Sequence, residues 1–415
     1  MLPSGRDPPD SMVREPHHEE AHACSLHLES SAMSFTSNWN YPTPIKFGPG
    51  RIKELAQHCL ANGIKRPLLV TDSGLAKLPL VIDAVAANNA AGVPTAVFSD
   101  VKPNPVGKNV EDGARMFLEG GHDGVIAFGG GSALDAGKAI AFYARQTRPL
   151  WDFEDVGDNF LRADVAAIAP SIAVPTTSGT GSEVGRVSVI TEEATHTKRL
   201  IFHPKILPVT VIADPELTFG VPAKITAATG MDALAHCLEA YCAPGFHPMA
   251  DGIALEGMRL IKNWLPKATK DGTNLEARAN MMVAATMGAA AFQKGLGVIH
   301  SLAHPLGAIY DAHHGLLNGI LMPYAIDFNR SVLAERMRLL AAHLDLEQRD
   351  TDGVIAWVNA LRKDLGIPHT LGAIGIDGAR ADEIAVAAMA DPSTPSNSIP
   401  LELGAVKKLF LKAVG

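Results

Sequence analysis

Near residue 214 the hydrophobic periodicity of this chain changes. From about Pro44 to Asp214, short apolar runs alternate with stretches of helical spacing. "RPLLVTDSG" (66–74), "TAVFSD" (95–100), "GVIAFGGGS" (124–132) and "SIAVPTTSG" (171–179) read as strands that end in turn residues. "RIKELAQHCLANG", "LPLVIDAVAANNAAG" and "NVEDGARMFLEGG" carry helical spacing between them and close on glycine, a common helix C-cap. Alternation of this kind builds a parallel sheet covered by helices. "RVSVIT", "RLIF" and "VTVIAD" add further strands. From Pro215 to Gly415 almost every periodic stretch is helical. The expectation is therefore an α/β N-terminal domain over residues 41–214 and an all-helical domain over residues 215–415. A cleft between two such domains is a natural ligand site.

Residues 1–40 stand apart. They are polar, rich in Pro, His and Glu, lack an apolar signal-like core, and read as a disordered extension. Met33 resembles a natural start. The most apolar run, "MMVAATMGAAAFQ", lies between Arg278 and Lys294 and is too short to cross a bilayer. A net charge of −8 without a basic run argues against nucleic acid and anionic membranes as partners. Four cysteines (Cys24, Cys59, Cys237 and Cys242) form no disulfide framework and fit a reducing cytoplasm.

Two polar turns follow strands. "FGGGSALDAGKAI" (128–140) has the strand–glycine–helix context in which backbone N–H groups receive a phosphate, or is a tight connection needing glycine dihedrals. Lys138 is too far into the helix for a Walker A lysine. "PTTSGTGSE" (175–183) supplies hydroxyls and glycines at the next strand end. The pair favours a dinucleotide. Asp72, ending "LLVTD", either accepts the ribose hydroxyls of NAD or caps the following helix.

The helical half concentrates metal-binding side chains. In "ATGMDALAHCLEAY", Asp232 and His236 are four apart and share a helix face. In "GLGVIHSLAHPLGAIYDAHHG", His300 and His304 repeat that spacing, and His313 and His314 follow an apolar loop. Asp232, His236, His300 and His314 can together offer one carboxylate and three imidazoles to a single ion. Without thiolates, Fe2+ or Zn2+ suits such a set.

These residues resemble the iron-containing (group III) alcohol dehydrogenases. "GGGSALDAGKAIA", "PTTSGTGSEV", "ATGMDALAHCLEAY" and "HSLAHPLGAIYDAHHGLLNGILMP" occur in that family's order and spacing. The resemblance spans nearly all of residues 40–410. It implies a dehydroquinate synthase-like fold, an NAD-binding α/β domain followed by a helical metal domain. It implies metal ligation by Asp232, His236, His300 and His314, with Fe2+ ahead of Zn2+, and a further histidine near the nicotinamide at His304. It places cofactor contacts at Asp72, Asn104, Gly130, Gly131, Ser132, Ala133, Leu134, Asp135, Thr176, Thr177, Thr180 and Lys198. It also implies a cytoplasmic homodimer or higher homo-oligomer acting on a small alcohol or aldehyde.

The chemistry expected is reversible hydride transfer between an alcohol and NAD, with the metal polarising the alcohol oxygen. "AFQKGLG" and "HPMADGIALEG" look most like the 4-hydroxybutyrate dehydrogenases within the family. Arg186 and Lys294 are then candidates for holding a substrate carboxylate, or else form internal ion pairs. The rival readings are a neutral-alcohol or lactaldehyde-type dehydrogenase, a dehydroquinate synthase-like cyclase and a non-catalytic assembly protein.

Overall fold

In the computed structural model, which describes Tyr41 and residues 43–415 except His196, the apolar runs pair into one parallel sheet. Its strands are β1 (Ile45–Phe47), β2 (Pro67–Val70), β3 (Ala96–Phe98), β4 (Gly124–Gly129) and β5 (Ser171–Pro175). An antiparallel ribbon of β6 (Val187–Glu192) and β7 (Thr197–Phe202) follows, and β8 (Thr210–Ala213) completes the sheet. The sheet order is β1-β8-β5-β4-β2-β3, every neighbouring pair parallel. "VTVIAD" thus joins the sheet, whereas "RVSVIT" and "RLIF" pair only with each other. The extension proposed for residues 1–40 lies outside the described residues.

Strands β2, β4, β5 and β8 are buried at every position. Unbroken apolar strands are what a sheet covered on both faces requires. The covering helices are α1 (Leu55–Ala61), α2 (Pro79–Ala90), α3 (Gly107–Glu119) and α4 (Gly131–Tyr143). One core packs Leu68, Val70 and Val125 against α3 and α4; another packs Leu69, Ile126 and Phe128 against α1 and α2. The chain leaves β2 for β3 on one side and returns to β4 on the other. A crevice opens where strand order reverses, and a dinucleotide binds at such a switch point.

The helical half comprises α5 (Ala223–Cys242), α6 (Pro248–Lys270), α7 (Leu275–Ala291), α8 (Val298–Tyr310) and α9 (His314–Phe328). It continues through α10 (Arg330–His343), α11 (Thr351–Asp364), α12 (Ala381–Met389) and α13 (Leu403–Val414). Among the described residues no single helix is long and apolar enough to cross a membrane. The apolar run of α7 is instead core: Ala284, Ala285 and Ala291 are buried among α5 and α6.

The two halves interlock through α7. Gly181 adopts φ +60, and a Cβ there would lie 2.3 Å from Ala289 Cβ, so only glycine permits this approach. The Thr286 hydroxyl on α7 donates to the buried Glu183 carboxylate at 2.9 Å, and burial raises that carboxyl above its usual range. Met282 and Ala289 of α7 share a core with Ala127, Ala173 and Val211 of the sheet.

Candidate metal centre and cofactor turns

Helix α5 is buried along nearly its whole length, which is why it can carry polar side chains into a dry interior. Asp232 and His236 are 2% and 5% exposed, and His300 of α8 is 1% exposed. One donor atom each from Asp232, His300 and His314 lies within 4.8 Å of the others. His314 Nε2 is 3.5 Å from Asp232 Oδ1, and His236 Nε2 is 3.9 Å from the same oxygen. The His236 ring stacks on His300 with centroids 4.8 Å apart. His314 opens α9, directly after a turn in which Asp311 takes the left-handed φ of 50. The structure therefore turns His314 towards the carboxylate and uses His313 as the residue before the helix.

Asn318, one turn after His314, sits among the donors. Its Nδ2 is 2.7 Å from Asp232 Oδ1, 3.1 Å from His314 Nε2 and 3.3 Å from His300 Nε2. The Asp232 carboxylate and the Nε2 atoms of both imidazoles therefore meet in one small volume around this amide. A carboxylate and converging imidazole nitrogens form a donor set for a borderline divalent ion. The residues fit the metal that the sequence implies.

Burial disfavours charge on two of the imidazoles. Burial pushes His236 down to about 4 against the attraction of Asp232. Burial likewise drives His314 well below the ordinary imidazole range, helped by the nearby charges of His304 and Lys198. Burial would also lower His300, but the hydrogen bond and charge of Glu239 leave it raised. His304 lies beside this group, its ring stacked on His314 at 5.2 Å. Its Nδ1 donates to Asp391 Oδ2 at 2.7 Å, so its place in the cluster is set by a carboxylate from beyond α12.

The cofactor candidates gather at the ends of β2, β4 and β5. Thr176 N donates to Gly129 O at 2.9 Å, and Thr177 and Thr180 flank Gly130 and Gly131, so the two polar turns lie against each other. Asp72 Oδ1 accepts from Gly74 N and Leu75 N, both at 2.9 Å, which closes the turn after β2. Ser132 donates to the Pro103 carbonyl, and Asn104 donates to Asp311 Oδ1 at 2.8 Å. Ala133 and Leu134 point into the core at 2% and 1% exposure, and Leu134 N is already bonded to Gly130 O. Asp135 accepts from Ser182 Oγ at 2.5 Å and Val189 N at 3.1 Å. That carboxylate clasps the second turn to α4 rather than facing open space. Lys138 completes the clasp, its buried ammonium donating to Ser182 O at 2.9 Å and Val187 O at 2.5 Å and pairing with Asp135.

One of the two expected substrate cations is spoken for. Lys294 is not a free charge: its Nζ is 2.5 Å from Asp251 Oδ1, and its side chain is 2% exposed. An ammonium so deep needs that partner, and α6 provides it. Arg186 lies over the Phe202 ring at 5.8 Å, with Asp155 within its electrostatic reach. The Lys198 ammonium, by contrast, has no ion-pair or hydrogen-bond partner among the described residues. A Cβ on Gly307, one turn past His304, would lie 3.6 Å from its Nζ. Burial lowers Lys198, opposed by Asp135, Asp232, Asp311 and Asp391.

Sequence reasoning passed over Glu239, Asn318 and Asp391, and weighed Lys138 only as a phosphate-binding lysine. Periodicity offered a signal for two of them. Glu239 follows Asp232 by seven residues and His236 by three, on one face of α5, and Asn318 follows His314 by four.

Residues 42–215 match the family model described as iron-containing alcohol dehydrogenase. Residues 226–414 match that of the Fe-containing alcohol dehydrogenase family, C-terminal. A 4-hydroxybutyrate dehydrogenase of Cupriavidus necator is 40% identical over 367 residues, covering 86% of this chain and 94% of the relative. An NAD-dependent methanol dehydrogenase of Bacillus methanolicus is 34% identical, covering 87% and 95%. The crystal structure of a 1,3-propanediol oxidoreductase superposes with a TM-score of 0.86 at 34% identity, covering 91% of this chain and 100% of that one. Sheet, helical half and both sequence models agree: the chain belongs to the iron-containing alcohol dehydrogenase family of oxidoreductases.

Proposed function

We propose that this chain oxidises a short primary alcohol bearing a distal carboxylate, and reduces the matching aldehyde, with NAD(H) and one divalent ion. The observation that carries the reading is the convergence of Asp232, His300 and His314, with His236 alongside, in a buried volume beside Lys198. When bound, the ion polarises the substrate oxygen and NAD exchanges the hydride. Asp232, His236, His300 and His314 hold the ion, Fe2+ in the first place and Zn2+ as the alternative. The turns at Gly130–Gly131 and Thr176–Thr180 receive the dinucleotide at the switch point, with the α4 N-terminus towards its phosphates. His304, held by Asp391, stands next to the donors as the group that passes the alcohol proton outward.

The carboxylate of the substrate is supported by the 40% identity to the 4-hydroxybutyrate dehydrogenase and by the ammonium of Lys198, which has no ion-pair or hydrogen-bond partner among the described residues. Its test compares succinic semialdehyde with butanal. A charge-assisted contact is worth about 1.5–3 kcal/mol, so the acid is expected to be favoured about ten- to a hundredfold in kcat/KM. Lys198→Met should erase that preference. Butanal as the better substrate of the wild type would overturn the anionic reading. A variant that keeps the preference but raises KM for NADH would move Lys198 to the cofactor.

Asp72 sets a second expectation. With one carboxylate oxygen closing the turn after β2, its charge stays at the edge of the crevice and repels a 2′-phosphate. Steady-state kinetics should show a preference for NAD over NADP that falls at least about tenfold in Asp72→Ser. Equal efficiency with both cofactors in the wild type would contradict it.

A further inference from the structure

Glu239 places a buried carboxylate directly behind the metal-facing imidazole of His300. Its Oε2 is 2.6 Å from His300 Nδ1, and its Oε1 accepts from Ile299 N at 2.7 Å. Both oxygens are therefore spent on consecutive residues in the first turn of α8, while Glu239 itself belongs to α5, the helix of Asp232 and His236. It is 7% exposed and forms no ion pair with a lysine or arginine among the described residues.

A neutral side chain could have capped Ile299 N equally well. Burying a carboxyl group with no lysine or arginine beside it is costly unless something nearby is made more favourable by it. A carboxylate only accepts, so His300 must carry its proton on Nδ1. The lone pair is then on Nε2, the atom that lies 3.3 Å from the Asn318 amide within the donor cluster. The structure assigns to Glu239 the role of a positioning residue that fixes the ligating tautomer and orientation of His300. This rests on the metal reading given above. The general cost of losing such a partner is about ten- to a hundredfold in metal affinity.

Glu239→Gln separates this role from simple capping. Glutamine keeps the length and can still accept from Ile299 N, but its NH2 then faces His300 Nδ1 and demands an acceptor there. The proton moves to Nε2 and the ligand is lost. Glu239→Asp keeps the charge and shortens the arm. Metal-stripped protein is titrated with Zn2+ against a competing chelator, and with Co2+ by its visible absorption.

The expected order of affinity is wild type, then Glu239→Asp, then Glu239→Gln, with the last about ten- to a hundredfold weaker than the wild type. Melting temperatures of the metal-free wild type and Glu239→Gln should stay close. Zn2+ affinity in Glu239→Gln equal to that of the wild type, or above that of Glu239→Asp, would show a cap and overturn the assignment. If Glu239→Gln fails to fold, Glu239→Asp against the wild type carries the test, and unchanged affinity there overturns it too. A wild type that binds neither ion overturns the metal reading itself and this assignment with it.

Discussion

Alanine at His300 is expected to empty the metal site and to lower kcat/KM by at least about a thousandfold. The ring supplies one of the converging donors, stacks on His236 and lies within 5.3 Å of His314, so its loss opens the cluster at its centre. An ion acting on the substrate oxygen is worth several kcal/mol of barrier, and about 4 kcal/mol is a factor of a thousand. Asp232→Ala and His314→Ala should behave alike. His236→Ala should follow them, because its Nε2 approaches the Asp232 oxygen from the other side. His313→Ala is the control, expected to retain both metal and rate. Metal content by atomic emission and NADH absorbance read the outcome. Should His313→Ala lose metal while His314→Ala keeps it, the ligand assignment is displaced by one residue.

Gly315→Ala should be nearly as damaging, although the residue touches no substrate. A Cβ at this position would lie 2.2 Å from the Ala228 carbonyl oxygen and 3.1 Å from Asp232 Cβ. Helices α9 and α5 meet there backbone to backbone. Neither can yield without moving His314 or Asp232, which are neighbours of the clash on each side. Overpacking of this kind costs about 1–3 kcal/mol of stability, and a displacement of about 1 Å costs about a hundredfold in rate. The expected result is a lower melting temperature, Zn2+ affinity reduced at least about tenfold and kcat/KM reduced about a hundredfold. Gly252→Ala on α6, where nothing lies within 4 Å of the added carbon, should leave all three near wild type. Wild-type metal affinity in Gly315→Ala would show that the helices can part without disturbing the donors.

The parallel sheet was legible because strands buried on both faces must be apolar throughout, as "GVIAFG" and "SIAVP" are. The ribbon was not: "RVSVIT" and "RLIF" have the same local composition as sheet strands, and only their partner distinguishes them. Edge strand β1, with a lysine at its centre and no fully buried position, carried too little apolar pattern to be seen. In the site, Asp232 with His236 and His300 with His304 announced themselves because spacing of four on a helix is a local property. Glu239 and Asn318 share that geometry but are single polar residues in apolar helices, whose meaning depends on a partner 61 or 86 positions away. Lys294 failed as a substrate cation for the same reason. Its cost was legible, but its partner Asp251 is 43 residues distant and on another helix.

The contact of Gly181 with α7 has a bearing on how this enzyme can be recombined with its relatives. A chimera joined at residue 214, where the periodicity changes, would take Gly181 and Glu183 from one parent and Ala285, Thr286 and Ala289 from the other. The seam would be clean along the chain and torn in space. Any side chain at residue 181 has no room beside Ala285 and Ala289, and a buried Glu183 without Thr286 loses its hydroxyl donor. Exchangeable blocks therefore follow the packing, with the segment from Thr176 to Phe202 inherited together with α7. Crossovers belong in the loops that this interlock does not reach.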